Sequence, residues 1–225
     1  MINTAESNHQ KQKIWVMANS VKLKGNLVIP KQAQGVVVFG HDNNSSCFSP
    51  YNQYVAQTLQ QSGIATLLID LLTVEEAELE RQTKQLRFDL GLLAERLLSS
   101  TQWLRQNPNT QHLKIGYFGA STDSAAALLA AADCPDAVSA IISCGGRPDL
   151  AGSALTRVEA PTLLIVGGED FPDLEMNRKA FSYLQGKKEI VMIPEATHLS
   201  EEAGALDEVA RLASQWFNRY LDPSN

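Results

Sequence analysis

Short apolar runs alternate with helical stripes along the whole chain. "GVVVFG" (35–40), "IATLLID" (64–70), "KIGYF" (114–118), "AVSAIIS" (137–143), "PTLLIVG" (161–167) and "EIVMI" (189–193) are continuous apolar segments. Such runs suit strands covered on both faces of a sheet. Ahead of them, "KIWVMANSVKLKGNLVIP" alternates, with β-branched residues on both sides of Ala18, Asn19 and Ser20. That pattern predicts a hairpin at a sheet edge. Helices are predicted between the runs, over 51–62, 81–105, 122–133 and 201–221, with another near 173–185. Leu86, Leu90, Leu93 and Leu97 recur at three- and four-residue steps, and Leu206, Val209, Leu212, Trp216 and Tyr220 share a second stripe. The acidic stretch 75–80 reads as a solvated helix start. Regular alternation of strand and helix predicts an α/β fold, with a mainly parallel central sheet flanked by helices and an antiparallel N-terminal hairpin. Residues 1–10 are expected to form a disordered tail and residues 11–225 a single domain.

Composition narrows the classes. The chain has 225 residues, 44% hydrophobic and 20% charged, enough to bury a core without disulfide or metal staples. A net charge of −6 with no basic tract beyond short pairs such as Lys187-Lys188 argues against nucleic acid as a partner. Cys47, Cys134 and Cys144 form no C-x-x-C pair, and an odd count without framework spacing suggests a reducing compartment. "MINTAESNHQKQK" lacks the apolar core of a signal peptide, and the apolar run from Ala125 to Ala132 is too short to span a bilayer. A cytoplasmic protein with no membrane partner is expected.

In an open parallel sheet, ligands bind beyond the carboxyl ends of the strands, so the loops leaving strand ends carry the chemistry. Three of them hold side chains suited to acyl transfer. In "YFGASTDSAAALLAA" (117–131) an apolar strand meets a helix at Ser121, the position of the serine in a G-x-S-x-G nucleophile elbow. The same serine would also serve as a helix cap, with Asp123 favourable in the first turn. In "LLIVGGEDFPD" (163–173), Asp170 follows the strand and could orient an imidazole; it could equally cap the next helix, and Glu169 is a rival. In "MIPEATHLSEE" (192–202), His198 lies between the last strand and the last helix. His9 falls in the tail, His112 in a turn, and His41 directly after a central strand, where packing under a loop is the commoner role. The order Ser121, Asp170, His198 is the serine–acid–histidine order of α/β-hydrolases. No histidine pair has metal-ligand spacing and no G-x-G-x-x-G is present, so neither metal nor cofactor is expected.

Taken with "SPYNQYVAQTLQQSGIATLLIDLLT", "LRFDLGLLAERL", "GGRPDLA" and "ATHLSEEAGALDEVARLASQWF", these segments resemble the dienelactone-hydrolase-like branch of the α/β-hydrolase superfamily, over about residues 20–221. The resemblance implies an α/β-hydrolase fold and a serine-dependent hydrolase acting through an acyl-enzyme on a small-molecule acyl substrate: an ester, lactone or thioester. A homodimer stays open. The namesakes use cysteine at the elbow, where this chain has serine. The resemblance implies backbone oxyanion donors at Asn43 and Thr122. Two departures stand out: the usual glycine-rich H-G-x-G loop reads His41-Asp42-Asn43-Asn44, and the last glycine of the elbow is Asp123. Both acids are expected to border the pocket and weaken the site, so that glycine at either position would raise activity. Arg147 is expected either to face a substrate carboxylate or to pair with Asp149. The same departures support an alternative, a pseudo-hydrolase that binds a ligand or protein through a retained pocket.

Overall fold

The computed structural model describes residues 9–41, 49–197, 199 and 202–223. Among these residues, eight strands form one sheet: β1 (His9–Ala18), β2 (Val21–Pro30), β3 (Gly35–His41), β4 (Ala65–Asp70), β5 (Lys114–Ser121), β6 (Ala140–Gly146), β7 (Thr162–Gly167) and β8 (Lys188–Ile193). Their order is β1-β2-β4-β3-β5-β6-β7-β8. β1 and β2 form the antiparallel hairpin, from Ala18 opposite Val21 to His9 opposite Pro30, and β2 runs antiparallel to β4. All remaining pairs are parallel. β1 takes in His9 and Gln10, and residues 1–8 of the expected tail lie outside the described residues.

Among the described residues, five α-helices lie between strands and a sixth follows β8: α1 (Pro50–Gln61), α2 (Val74–Thr83), α3 (Leu90–Gln106), α4 (Asp123–Asp133), α5 (Phe171–Tyr183) and α6 (Ala203–Leu221). The two sheet faces carry separate cores. Val37, Phe39, Phe118 and Ile142 pack toward α1 and α6, with Phe39 and Phe118 stacked at 4.8 Å. Val36, Val38, Ile115, Tyr117 and Ile141 pack toward α3, α4 and α5. Side chains alternate between faces along each strand, which is why continuous apolar runs are needed.

Two elements differ from the sequence reading. The helix expected over 81–105 is split. Lys84 turns left-handed (φ 54) after α2, the buried Glu80 accepts the Arg87 backbone N–H at 3.2 Å, and Asp89 caps a new helix by accepting from Leu92 N at 3.1 Å. Leu86 therefore lies outside α3. The acidic stretch belongs to α2, whose start is a reciprocal capping box between Thr73 and Glu76. The strand expected over 137–143 runs over 140–146 instead. Pro135 opens a short 3₁₀ turn that uses Ala137, while Cys144, Gly145 and Gly146 continue the strand.

Because β3 and β5 to β8 are parallel, their carboxyl ends share one edge. His41, Ser121, Gly146, Gly167 and Ile193 mark it.

Candidate active site

The strand–helix junction after β5 is held in a strained shape. Ser121 has φ +50, a left-handed conformation that costs a non-glycine residue about 1–2 kcal/mol. Such strain persists only where surrounding contacts enforce it. Here the Ser121 carbonyl accepts from Arg147 N at 2.9 Å and from Ser124 Oγ at 2.6 Å. The start of α4 also lies tight against the sheet. A Cβ on Gly119 would sit 2.5 Å from Ser124 Cα, and one on Gly146 would sit 2.1 Å from Ser124 Oγ. Glycine at both positions is what lets the helix approach. As a result the Ser121 side chain is exposed, while Thr122, Asp123 and Ser124 behind it are buried. The N-cap position of α4 is Thr122, so Ser121 is not the helix cap.

Ser121 opens into a cavity of ≈ 370 Å³. Asp170 lines the same cavity, together with Tyr51 and Asn52 from the start of α1, Cys144 from β6, and Asp173. Asp170 caps α5, its Oδ1 accepting from Asp173 N at 3.1 Å. The loops after β7 and β8 are joined by backbone hydrogen bonds, Gly168 N to Ile193 O at 2.8 Å and Glu169 N to Ala196 O at 3.1 Å. Thr197 also lines the cavity and is anchored through its N–H and hydroxyl to Glu202 Oε1, each at 3.0 Å. His198, the next residue, lies outside the described residues, as do Asp42 and Asn43.

A phenol and a thiol also line the cavity. Tyr51 Oη and Cys144 Sγ are 3.0 Å apart. Burial pushes the Cys144 thiol up to about 12 and raises the Tyr51 phenol well above its ordinary value. Both groups keep their protons at neutral pH. Neither was singled out from the sequence. Their signal was topological: Tyr51 opens a helix and Cys144 ends a strand, both at the loop-bearing sheet edge.

Asp123 and Arg147 are not among the residues lining this cavity. Asp123 is 4% exposed, and its Oδ2 lies 3.5 Å from Nδ1 of His41, itself 1% exposed. The carboxylate thus packs against the end of β3. Arg147 is held by Asp149 in a bidentate pair, with Nε to Oδ1 and Nη2 to Oδ2 both 2.9 Å. The guanidinium beside Asp149 holds that carboxyl below its ordinary value. Among the described residues, no cluster of three or more His, Cys, Asp or Glu side chains could hold a metal ion, and no helix is long and apolar enough to cross a membrane.

No family model matches the chain. A solved dienelactone hydrolase from Anabaena variabilis is 59% identical, with a TM-score of 0.92 over 95% of this chain and 99% of that one. The chain belongs to the dienelactone hydrolase family. Its fold extends to more distant proteins. Est1E from Butyrivibrio proteoclasticus matches at 16% identity and a TM-score of 0.75, covering 92% of this chain and 98% of that one. The esterase domain of a Rhodothermus marinus protein matches at 19% identity and a TM-score of 0.73, covering 94% of this chain and 100% of that one. A Mycobacterium tuberculosis protein provisionally described as a phosphoribosyl transferase is 50% identical over 210 residues, 93% of this chain but 46% of that protein. The chain therefore spans about half the length of the curated relatives it matches.

Proposed function

We propose that the protein is a serine hydrolase that cleaves a small ester, lactone or thioester through an acyl-enzyme. The observation that carries the proposal is Ser121: exposed, left-handed, and opening into a cavity that Asp170 also lines. A side chain kept at a strained elbow is aimed at a reactant. Ser121 Oγ attacks the acyl carbonyl while His198 removes its proton. The tetrahedral oxyanion is met by the backbone N–H groups of Thr122 and Asn43. His198 then protonates the departing alcohol or thiol. Water, deprotonated by the same imidazole, attacks the acyl-serine and releases the acid. Asp170 holds the imidazole tautomer and stabilises its cation. The cytoplasm is the proposed location, since three cysteines without framework spacing fit a reducing compartment.

The binding-only alternative rested in part on Asp123. That support is weakened, since Asp123 packs on His41 and does not line the cavity. The transferase in the description of the mycobacterial relatives is said of proteins about twice this length. The test is a panel of p-nitrophenyl esters of increasing acyl length, run with wild type and Ser121→Ala. Turnover by the wild type that disappears in a folded Ser121→Ala supports the reading. Equal turnover by both would overturn it.

A further inference from the structure

We infer that the first turn of α1 reads the acyl group: Asn52 and Tyr51 donate hydrogen bonds to a second oxygen on the substrate, a ketone or carboxylate oxygen beyond the scissile ester. The inference rests on the hydrolase reading above and names the residues that select its substrate. Asn52 is 2% exposed and lines the cavity into which Ser121 opens. Its backbone N–H donates to the capping Ser49 Oγ at 3.2 Å. Its side chain is different. Among the described residues, Oδ1 has no hydrogen-bond partner and Nδ2 donates to none. Buried side-chain amides are hydrogen-bonded as a rule.

An unsatisfied amide destabilises the fold, and such a group on a cavity wall is retained where a ligand completes it. Oδ1 is the enclosed end of the Asn52 amide, so Nδ2 is the end left to a ligand. It is a donor and calls for an oxygen. Tyr51, the preceding residue, brings a second donor to the same wall. Its Oη lies 3.0 Å from Cys144 Sγ, and a thiol sulfur is a weak acceptor. Exchanging that sulfur for a substrate oxygen strengthens the bond. Burial keeps the phenol protonated at neutral pH. The helix adds a bias of the same sign. Ser49, Tyr51 and Asn52 line the cavity from the N-terminus of α1, where the helix dipole favours negative charge, partial or full. The second oxygen thus fixes the acyl chain from α1 while Ser121 meets the carbonyl from the end of β5. Holding a substrate at two points orients the reacting carbonyl.

Three methyl esters test this in a pH-stat: pentanoate, 4-oxopentanoate and the glutarate monoester. They share a leaving group and a five-carbon acyl chain, so kcat/KM differences report the second oxygen. The wild type is expected to prefer at least one oxygen-bearing ester over pentanoate by about tenfold, the scale of one net hydrogen bond. A preference for the oxo ester alone assigns a neutral oxygen, and one that includes the glutarate ester assigns a charged one. Asn52→Leu should abolish the preference and leave turnover of methyl pentanoate within about twofold. Its unfolding midpoint should match or exceed the wild type, because an apolar side chain of similar shape removes the unsatisfied amide. Asn52→Ala should lose the preference too, and Tyr51→Phe part of it. A wild type without a preference, or a preference that survives in folded Asn52→Leu, would overturn the inference while leaving the hydrolase reading standing. Failure of all three esters would count against the hydrolase reading. Calorimetric titration with pentanamide and 4-oxopentanamide then decides the inference: tighter binding of the oxo amide that is lost in Asn52→Leu supports it, and equal binding overturns it.

Discussion

Replacing Asp123 by glycine would restore the residue that a G-x-S-x-G elbow carries, yet the structure predicts a weaker protein and a slower enzyme. The sequence suggested the opposite sign, because an acid two residues after the serine could oppose an oxyanion. Its placement argues for the other sign. Asp123 is 4% exposed and its Oδ2 is 3.5 Å from Nδ1 of the buried His41, so it links α4 to the end of β3. Removing one partner of a buried ion pair costs about 3–5 kcal/mol. That figure is an upper bound here, because His41 Nδ1 makes no hydrogen bond across the 3.5 Å contact, and its loss is taken at about 1–1.5 kcal/mol. Glycine in the first turn of α4 adds up to about 1 kcal/mol, and loss of the acid at that helix terminus about 0.3–1 kcal/mol. A total near 3 kcal/mol corresponds to a Tm lowered by about 6–12 °C in a chain of this size. Activity should fall with it, since the β3 end leads into the segment assigned an oxyanion donor. Thermal unfolding and kcat/KM on a short-chain ester are measured for wild type, Asp123→Gly and Asp123→Asn. The asparagine variant keeps the volume and should lose less. An Asp123→Gly protein with unchanged Tm and faster hydrolysis would refute the reasoning.

The acid partner of His198 is expected to be Asp170, which lines the cavity from the N-cap of α5. Asp170→Asn should lower kcat by up to about 10⁴, and Glu169→Gln and Asp173→Asn should lower it far less on a neutral ester; a larger loss in either of these would move the assignment. Arg96, 4% exposed, donates to both oxygens of Glu76 at 2.6 Å and holds that carboxyl below its ordinary 4.5. A lowered folded value means stability that is present above 4.5 and lost as pH falls through the folded value. Glu76→Gln should therefore destabilise by about 1–3 kcal/mol at neutral pH, with the gap closing in acid; a gap independent of pH would contradict the pairing. Cys144, buried with its thiol pushed up to about 12, should resist iodoacetamide at pH 8 in the folded protein and react once unfolded, as peptide mapping will show.

Most of the architecture was legible because burial on both sheet faces forces continuous apolar runs. Each of those runs became a strand, and the alternation beside Asn19 became the hairpin. Boundaries failed where polar local chemistry overrode periodicity. The leucine stripe through Leu86 ran across a break made by Lys84, Glu80 and Asp89, and no hydrophobic period reports such a break. At the site, the elbow was legible from Gly119 and Ser121, since strand-to-helix reversal at a serine leaves a local signature. Gly146 was not, because its role is to make room for Ser124 across the sheet, and sequence separation hides that contact. The direction of Asp123 was hidden for the same reason. Its partner His41 lies 82 positions earlier in the chain (123 − 41), brought near only by the pairing of β3 with β5. Tyr51 and Cys144 carry no motif and join the site through topology alone.

The central claim is that Ser121 is a working nucleophile. Labelling with a fluorophosphonate, followed by peptide mapping, tests it most directly. Phosphonylation of the folded wild type at Ser121 is predicted, with none in heat-denatured protein and none in a Ser121→Ala variant whose unfolding midpoint matches the wild type. Labelling that persists undiminished in the folded Ser121→Ala protein, or maps to another residue, would contradict the account.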